Sequence, residues 1–198
     1  MDILSLQDAF VVCVKPVGVD SEHDMPKVLS EALGGAIWPV HRLDKNVGGV
    51  MVYARTKAAA ALLSTAVQNG SMMKEYVAVV HGIVPEEGTW TDYLWKDSSK
   101  NKVFVVKRLR KGVKEATLSF RRLASYEDTS LVAVRLHTGR SHQIRVQFAS
   151  RKHPLIGDTK YGGRDLLVKT PRLYACKLSF PFAGETYTFE SYPEWGSV

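Results

Sequence analysis

The sequence predicts an α+β fold built on a central, mostly antiparallel sheet. Two observations carry this. Short apolar stretches with partial period-2 alternation recur along the whole chain, whereas segments of helical character are few. Of the 198 residues, 45% are hydrophobic and 24% charged, the balance of a chain with a real core. That length suits one domain, so residues 1–198 read as a single domain without repeat, low-complexity tract or long linker.

The elements follow in order. Phe10–Val14 reads as a buried strand, closed by Lys15-Pro16-Val17-Gly18, where proline fixes φ and glycine relieves the sterics of a tight turn. Met25–Leu33 reads as a short helix opened by Asp24 and Pro26 and ended by Gly34-Gly35. Gly49–Ala54 reads as a strand. Thr56 then caps an alanine-rich helix, Lys57–Gln68, with Gly70 just past its end. Glu75–His81, Val103–Val106, Ala116–Arg122 and Leu131–His137 are strand candidates. Thr138-Gly139-Arg140 reads as a turn, and Ser141 as the cap of a helix from His142 to Ser150. Leu173–Phe180 and Thr186–Glu190 alternate cleanly, which suggests antiparallel edge strands.

Several classes are excluded. The apolar content is too high for a disordered chain. The longest apolar run near the start, Phe10–Val14, is far short of the ~18 residues of a membrane span. Asp2 and Asp8 stand where a signal peptide would carry bases. Two isolated cysteines, Cys13 and Cys176, argue against a disulfide framework or a cysteine zinc site and fit a reducing, cytoplasmic setting. His23, His81, His137 and His153 show no ligand spacing, so no metal is expected.

The net charge is +7, and it is unevenly spread. Residues 96–122 net +8, residues 135–172 net +7, and the remainder −8. Each block alone could be a solvated basic face. Two together favour a nucleic-acid surface, because phosphate neutralisation needs clustered Lys and Arg.

Three constellations carry possible chemistry. In His41-Arg42-Leu43-Asp44 the carboxylate lies between Arg42 and Lys45, a field that favours its ionised form. Such a group can serve as base or nucleophile, or simply as half of a surface ion pair. Thr138–Arg145 places Arg140, His142 and Arg145 at a helix start, where positive side chains are disfavoured by ~0.3–1 kcal/mol each. Cations there make sense beside a phosphate or a buried carboxylate; the alternative is a solvated helix end. Ile144 and Phe148, four apart, should anchor that helix in the core while Arg145 reaches a site. Third, Lys74-Glu75-Tyr76 opens a valine-rich strand, and its tyrosine suits core packing as well as catalysis.

In this order the segments resemble the RluA-type pseudouridine synthases, which isomerise uridine to pseudouridine in RNA. The resemblance runs from about Phe10 to Glu190. It rests on Lys15–Gly18, His41–Asp44, Lys74–Tyr76 and Thr138–Arg145, followed by His153–Asp158 and Lys160-Tyr161-Gly162. It implies a pseudouridine synthase-like domain with a basic RNA-binding cleft. By resemblance Asp44 is the catalytic aspartate, Tyr76 packs on the target base, Arg145 pairs with the aspartate, and Arg42 helps displace the base. His41, Lys74, Arg140 and His142 are implied to contact substrate.

The resemblance further implies RNA (ribosomal or transfer) as partner, no cofactor, no metal, no membrane, and a monomer. It covers the catalytic domain alone, without the extra N-terminal RNA-binding domain of many relatives. RNA selection then falls to the basic segment 96–122, chiefly Lys107, Arg108, Arg110 and Lys111. One departure stands out: where relatives commonly carry Thr-Ser/Thr-Gly after the aspartate, this chain has Val47-Gly48-Gly49. A different class, an RNA-binding or RNA-folding protein that kept the fold and lost turnover, would also suit the charge. It would not need Asp44, Tyr76 and Arg145 together.

Overall fold

In the computed structural model the described residues are 2–163, 165 and 167–196. In chain order the elements are β1 (Ile3–Leu6), β2 (Phe10–Lys15), α1 (Asp24–Leu33), β3 (Trp38–Pro39), β4 (Gly48–Ala54), α2 (Lys57–Gln68) and β5 (Met73–His81). They continue with β6 (Glu87–Asp97), β7 (Lys102–Val106), β8 (Val113–Tyr126), β9 (Thr129–Leu136), α3 (Gln143–Ser150), β10 (Leu173–Phe182) and β11 (Glu185–Glu190), and a 3-10 turn at Glu194–Gly196. Contacts divide the chain into two units: residues 1–74 with 174–194, and residues 75–173 with 195–198.

In the first unit the strand order is β1-β2-β4-β10, with β3 against β4 and β11 against β10. All these pairings are antiparallel except β4 with β10, which runs parallel through Gly48 and Gly49 opposite Tyr174 and Ala175. β4 is buried on both faces. Its Val50, Val52 and Ala54 pack with Ala59, Leu63 and Ala66 of α2 and with Phe10, Leu178 and Phe180. Phe10 is the hub, meeting the edges of Phe180, Phe182 and Tyr187 at 5.1–5.4 Å between ring centres. The Thr56 hydroxyl accepts the Ala59 N–H at 3.1 Å, so α2 starts where its cap dictates. Cys13 and Cys176 are both buried thiols outside any disulfide, and both lie in this unit.

In the second unit the order is β5-β9-β8-β6-β7. β6 and β8 pair antiparallel over nine residues, from Glu87↔Arg121 to Trp95↔Val113. Alternate residues of β6 face α3: Phe148 meets Trp90 at 4.7 Å and Phe120 at 5.5 Å, and Val146 packs with Leu94, Val103 and Ala116. Arg151 lies 4.3 Å over the Trp90 ring and pairs with Asp92 at 2.8 Å, which locks the end of α3 onto β6. The connection 107–112 joins β7 to β8, which flank β6 on opposite sides, so it must pass across β6.

Three expectations need correction. β10 and β11 are not both edge strands: β10 lies between β4 and β11, because its Cys176, Leu178 and Phe180 belong to the core. β6 and β1 were not expected. β6 carries Glu87, Gly88 and Asp92 among its aromatics, which hides the alternation that its burial pattern shows. Finally, α3 starts at Gln143 and not at His142, and Ser141 does not cap it. His142 occupies the cap position in a left-handed conformation (φ 51°), with its imidazole turned to Tyr161.

Candidate active site

In the first unit the segment after β3 is a loop, residues 40–47, fastened to its surroundings at several points. His41 is buried, and its Nε2 accepts the Val52 N–H of β4 at 3.2 Å. Leu43 is gripped by Ser21 in both directions: its N–H donates to Ser21 Oγ at 3.2 Å, and Ser21 Oγ donates to its carbonyl at 2.9 Å. Ser21 is itself held by the Tyr53 hydroxyl, which donates to its carbonyl at 2.9 Å. The Lys45 carbonyl accepts the Gly18 N–H at 2.8 Å, and the Asp44 carbonyl accepts the Val47 N–H at 2.9 Å.

Lys15 completes this frame. Its side chain is fully buried and its Nζ donates to the carbonyls of Pro16 (2.9 Å), Val19 (2.8 Å) and Lys45 (3.3 Å). One ammonium therefore fastens the Pro16–Gly18 turn to the loop that carries Asp44. Burial pushes the Lys15 amine down to about 8, opposed by the nearby Asp20 and Asp44 carboxylates. Burial likewise lowers Lys74 to about 8. It holds His41 well below its usual range, with Lys74 adding to the effect, so His41 is neutral. Asp44 is half-buried. Arg42 points outward and pairs with Glu22 at 3.2 Å, both side chains being well exposed.

The departure at 47–49 has a packing reason. Val47 is buried, and a Cβ on Gly48 would stand 3.2 Å from both the Lys15 carbonyl and the Tyr174 ring. At Gly49 (φ 133°) a Cβ would fall against the backbone of Ala175, 2.6 Å from its nitrogen. The space that a hydroxyl side chain would use at Gly48 is taken by Tyr174.

In the second unit Tyr76 is buried in β5, between the buried Val77 and the half-buried Glu75. Ile144 and Phe148 anchor α3 in the core as their spacing requires. Arg145 is 7% exposed, and its Nε and Nη2 donate to Asp158 at 2.7 and 2.8 Å, a bidentate fork. Its guanidinium carbon lies 5.2 Å from the centre of the Tyr161 ring. The Tyr161 hydroxyl stands 2.8 Å from His142 Nδ1 and accepts the Val103 N–H, also at 2.8 Å. Arg140 donates through Nε to the Glu115 carbonyl at 2.9 Å. Lys107, Arg108, Arg110 and Lys111 are all exposed on the β7–β8 connection.

Lys15, Ser21, Asp158 and Tyr161 have structural roles that sequence reasoning did not assign. Lys15, Asp158 and Tyr161 sat in motifs that carried no chemistry by themselves, and Ser21 lay outside every motif. Among the described residues no group of three or more His, Cys, Asp and Glu is arranged to hold a metal ion. No helix among them is long and apolar enough to cross a membrane.

A family model described as RNA pseudouridylate synthase matches residues 9–150, the stretch that contains the Asp44 loop, Tyr76 and Arg145. The chain belongs to this family. Ribosomal large subunit pseudouridine synthase D of Haemophilus influenzae is 38% identical over 125 residues, covering 63% of this chain and 38% of that protein. An uncharacterized RNA pseudouridine synthase of Bacillus subtilis, YjbO, is 34% identical over 155 residues, 77% of this chain and 54% of its own length. The chain thus spans roughly two fifths to a half of these relatives. The human RNA Pseudouridylate Synthase Domain Containing 1 superposes with a TM-score of 0.84 at 23% identity, over 97% of this chain and 83% of that one. Its likeness fixes the pseudouridine synthase fold for this α+β chain.

Proposed function

We propose that this protein isomerises uridine to pseudouridine in structured RNA, with Asp44 as the essential carboxylate. The observation that carries this reading is the loop 40–47 of a pseudouridylate synthase family member, pinned by Lys15, Ser21 and His41 so that the half-buried Asp44 is held in place. Preorganisation of this kind is what a charge acting in the transition state requires.

The reaction breaks the glycosidic carbon–nitrogen bond, turns the uracil and rejoins it through a ring carbon. It is redox-neutral, so its balance calls for no hydride carrier. The target base must leave its stack, at a cost of a few kcal/mol. Arg42 supports this step, since its exposed pair with Glu22 is easily exchanged. Arg145 serves the reaction as a fixed cation, Tyr76 packs on the flipped base, and His41, Lys74, Arg140 and His142 bind the substrate. Lys107, Arg108, Arg110 and Lys111 dock RNA phosphates. The names of the bacterial relatives favour large-subunit ribosomal RNA over transfer RNA. Residues 1–198 act as one catalytic domain, a cytoplasmic monomer.

The test is to incubate the protein with cellular RNA lacking its own modification and to map pseudouridine. New sites with wild type and none with Asp44→Ala are expected. RNA binding without new pseudouridine in either protein would replace this reading with that of an RNA-binding or RNA-folding protein.

A further inference from the structure

The segment 153–163 follows α3 and packs around the side chain of Arg145. Asp158 is 1% exposed and gives both carboxylate oxygens to the arginine fork. Its position is fixed by a tight fold of its own backbone. The Asp158 N–H donates to the Leu155 carbonyl at 3.1 Å, and its carbonyl accepts from Tyr161 (3.1 Å) and Gly163 (2.9 Å). Gly163 comes so close to Leu155 that a Cβ would fall on the Leu155 carbonyl. Tyr161, three residues on, lays its ring beside the guanidinium, and its hydroxyl ties His142 to the backbone of β7.

We propose that Asp158 and Tyr161 are positioning residues that fix the Arg145 guanidinium in one orientation for the reaction. This rests on the role given to Arg145 above. A guanidinium has five N–H donors in a rigid plane. Asp158 takes two of them along the Nε–Nη2 edge, which sets the plane and turns the remaining donors in a defined direction. Tyr161 packs its ring against the guanidinium, 5.2 Å from ring centre to guanidinium carbon, and limits its movement. An arginine so gripped meets a substrate without reorganising, whereas a loosely held one must be ordered in each turnover. The Tyr161 hydroxyl adds a mechanical link, because it joins the helix start to β7, the strand that leads into the basic connection 107–112.

The test measures single-turnover rate and RNA affinity on an unmodified RNA substrate, with thermal stability recorded alongside. Asp158→Asn keeps the shape and removes the charge; Tyr161→Phe keeps the ring and removes the hydroxyl. The expected result is a rate loss of about 100-fold for Asp158→Asn and about tenfold for Tyr161→Phe, with RNA affinity within about twofold of wild type. Asp158→Glu should recover part of the rate. In an Arg145→Lys background both substitutions should cost less than about twofold more, because their effect passes through the arginine. Full rates in both variants, or losses that multiply unchanged on Arg145→Lys, would overturn the proposal. If Asp158→Asn does not fold, Tyr161→Phe decides. If wild type forms no pseudouridine, the functional reading fails and takes this one with it; an active wild type with unimpaired variants sinks the positioning role alone.

Discussion

The two units hold their functional side chains in opposite ways. In the first, the loop that carries Asp44 is fastened through backbone groups: Lys15, Ser21 and His41 bind carbonyls and amides. In the second, the functional side chain is itself the fastener, since Arg145 closes a buried ion pair with Asp158. The contrast teaches that the frame of the Asp44 loop is carried by bonds to the main chain, whereas around Arg145 it is carried by the side chain itself. Removing the buried arginine strands its partner charge.

The largest effect follows from this. Arg145→Met should abolish turnover and also lower stability by about 3–5 kcal/mol, because Asp158 is left buried and unpaired. Asp44→Ala should abolish turnover with a smaller loss of stability, because the main-chain bonds that frame its loop remain. Denaturant unfolding of both variants checks this; equal stability losses would erase the contrast.

The frame around Asp44 can be probed by pH. Lys15 has its folded value lowered to about 8 from an ordinary 10.5, so the unfolded chain binds more protons between those values. Stability contributed at this position therefore rises with pH across that window, and the burial penalty is greatest below about pH 8. Relative to Lys15→Met, wild type should gain on the order of 3 kcal/mol between pH 7.5 and 10.5. A difference independent of pH would mean that the ammonium is not held in its carbonyl cage.

The smallest effect concerns docking in the second unit. Reversing charge at Lys107, Arg108, Arg110 and Lys111 should weaken RNA binding and reduce the slope of log affinity against log salt by about 3 to 4. The Asp44 frame contains none of these residues, so thermal stability should hold. Unchanged binding and slope would remove the β7–β8 connection from the interface.

Legibility in the sequence followed the same divide. α2 could be read because Thr56, an alanine-rich run and Gly70 are all local signals. The Asp44 loop could be found because four short blocks stand in a recognisable order. What holds these parts could not be read. Ser21 grips a residue 22 positions away, Lys15 one 30 positions away, and Asp158 one 13 positions back. Nothing in local periodicity encodes such partners. β6 was missed for a related reason: its alternation emerges only once β8 and α3 are placed on either side of it.

Both cysteines lie in the first unit, and the deeper one, Cys13, has its thiol pushed up to about 12 by burial. At neutral pH almost none of it is thiolate, so the folded chain resists alkylating reagents at this position. Labelling there requires that β2 come open. The rate at which a thiol reagent enters Cys13 is thus a native clock for the opening of the Asp44-bearing unit, and the second unit, which has no cysteine, contributes no thiol to that signal.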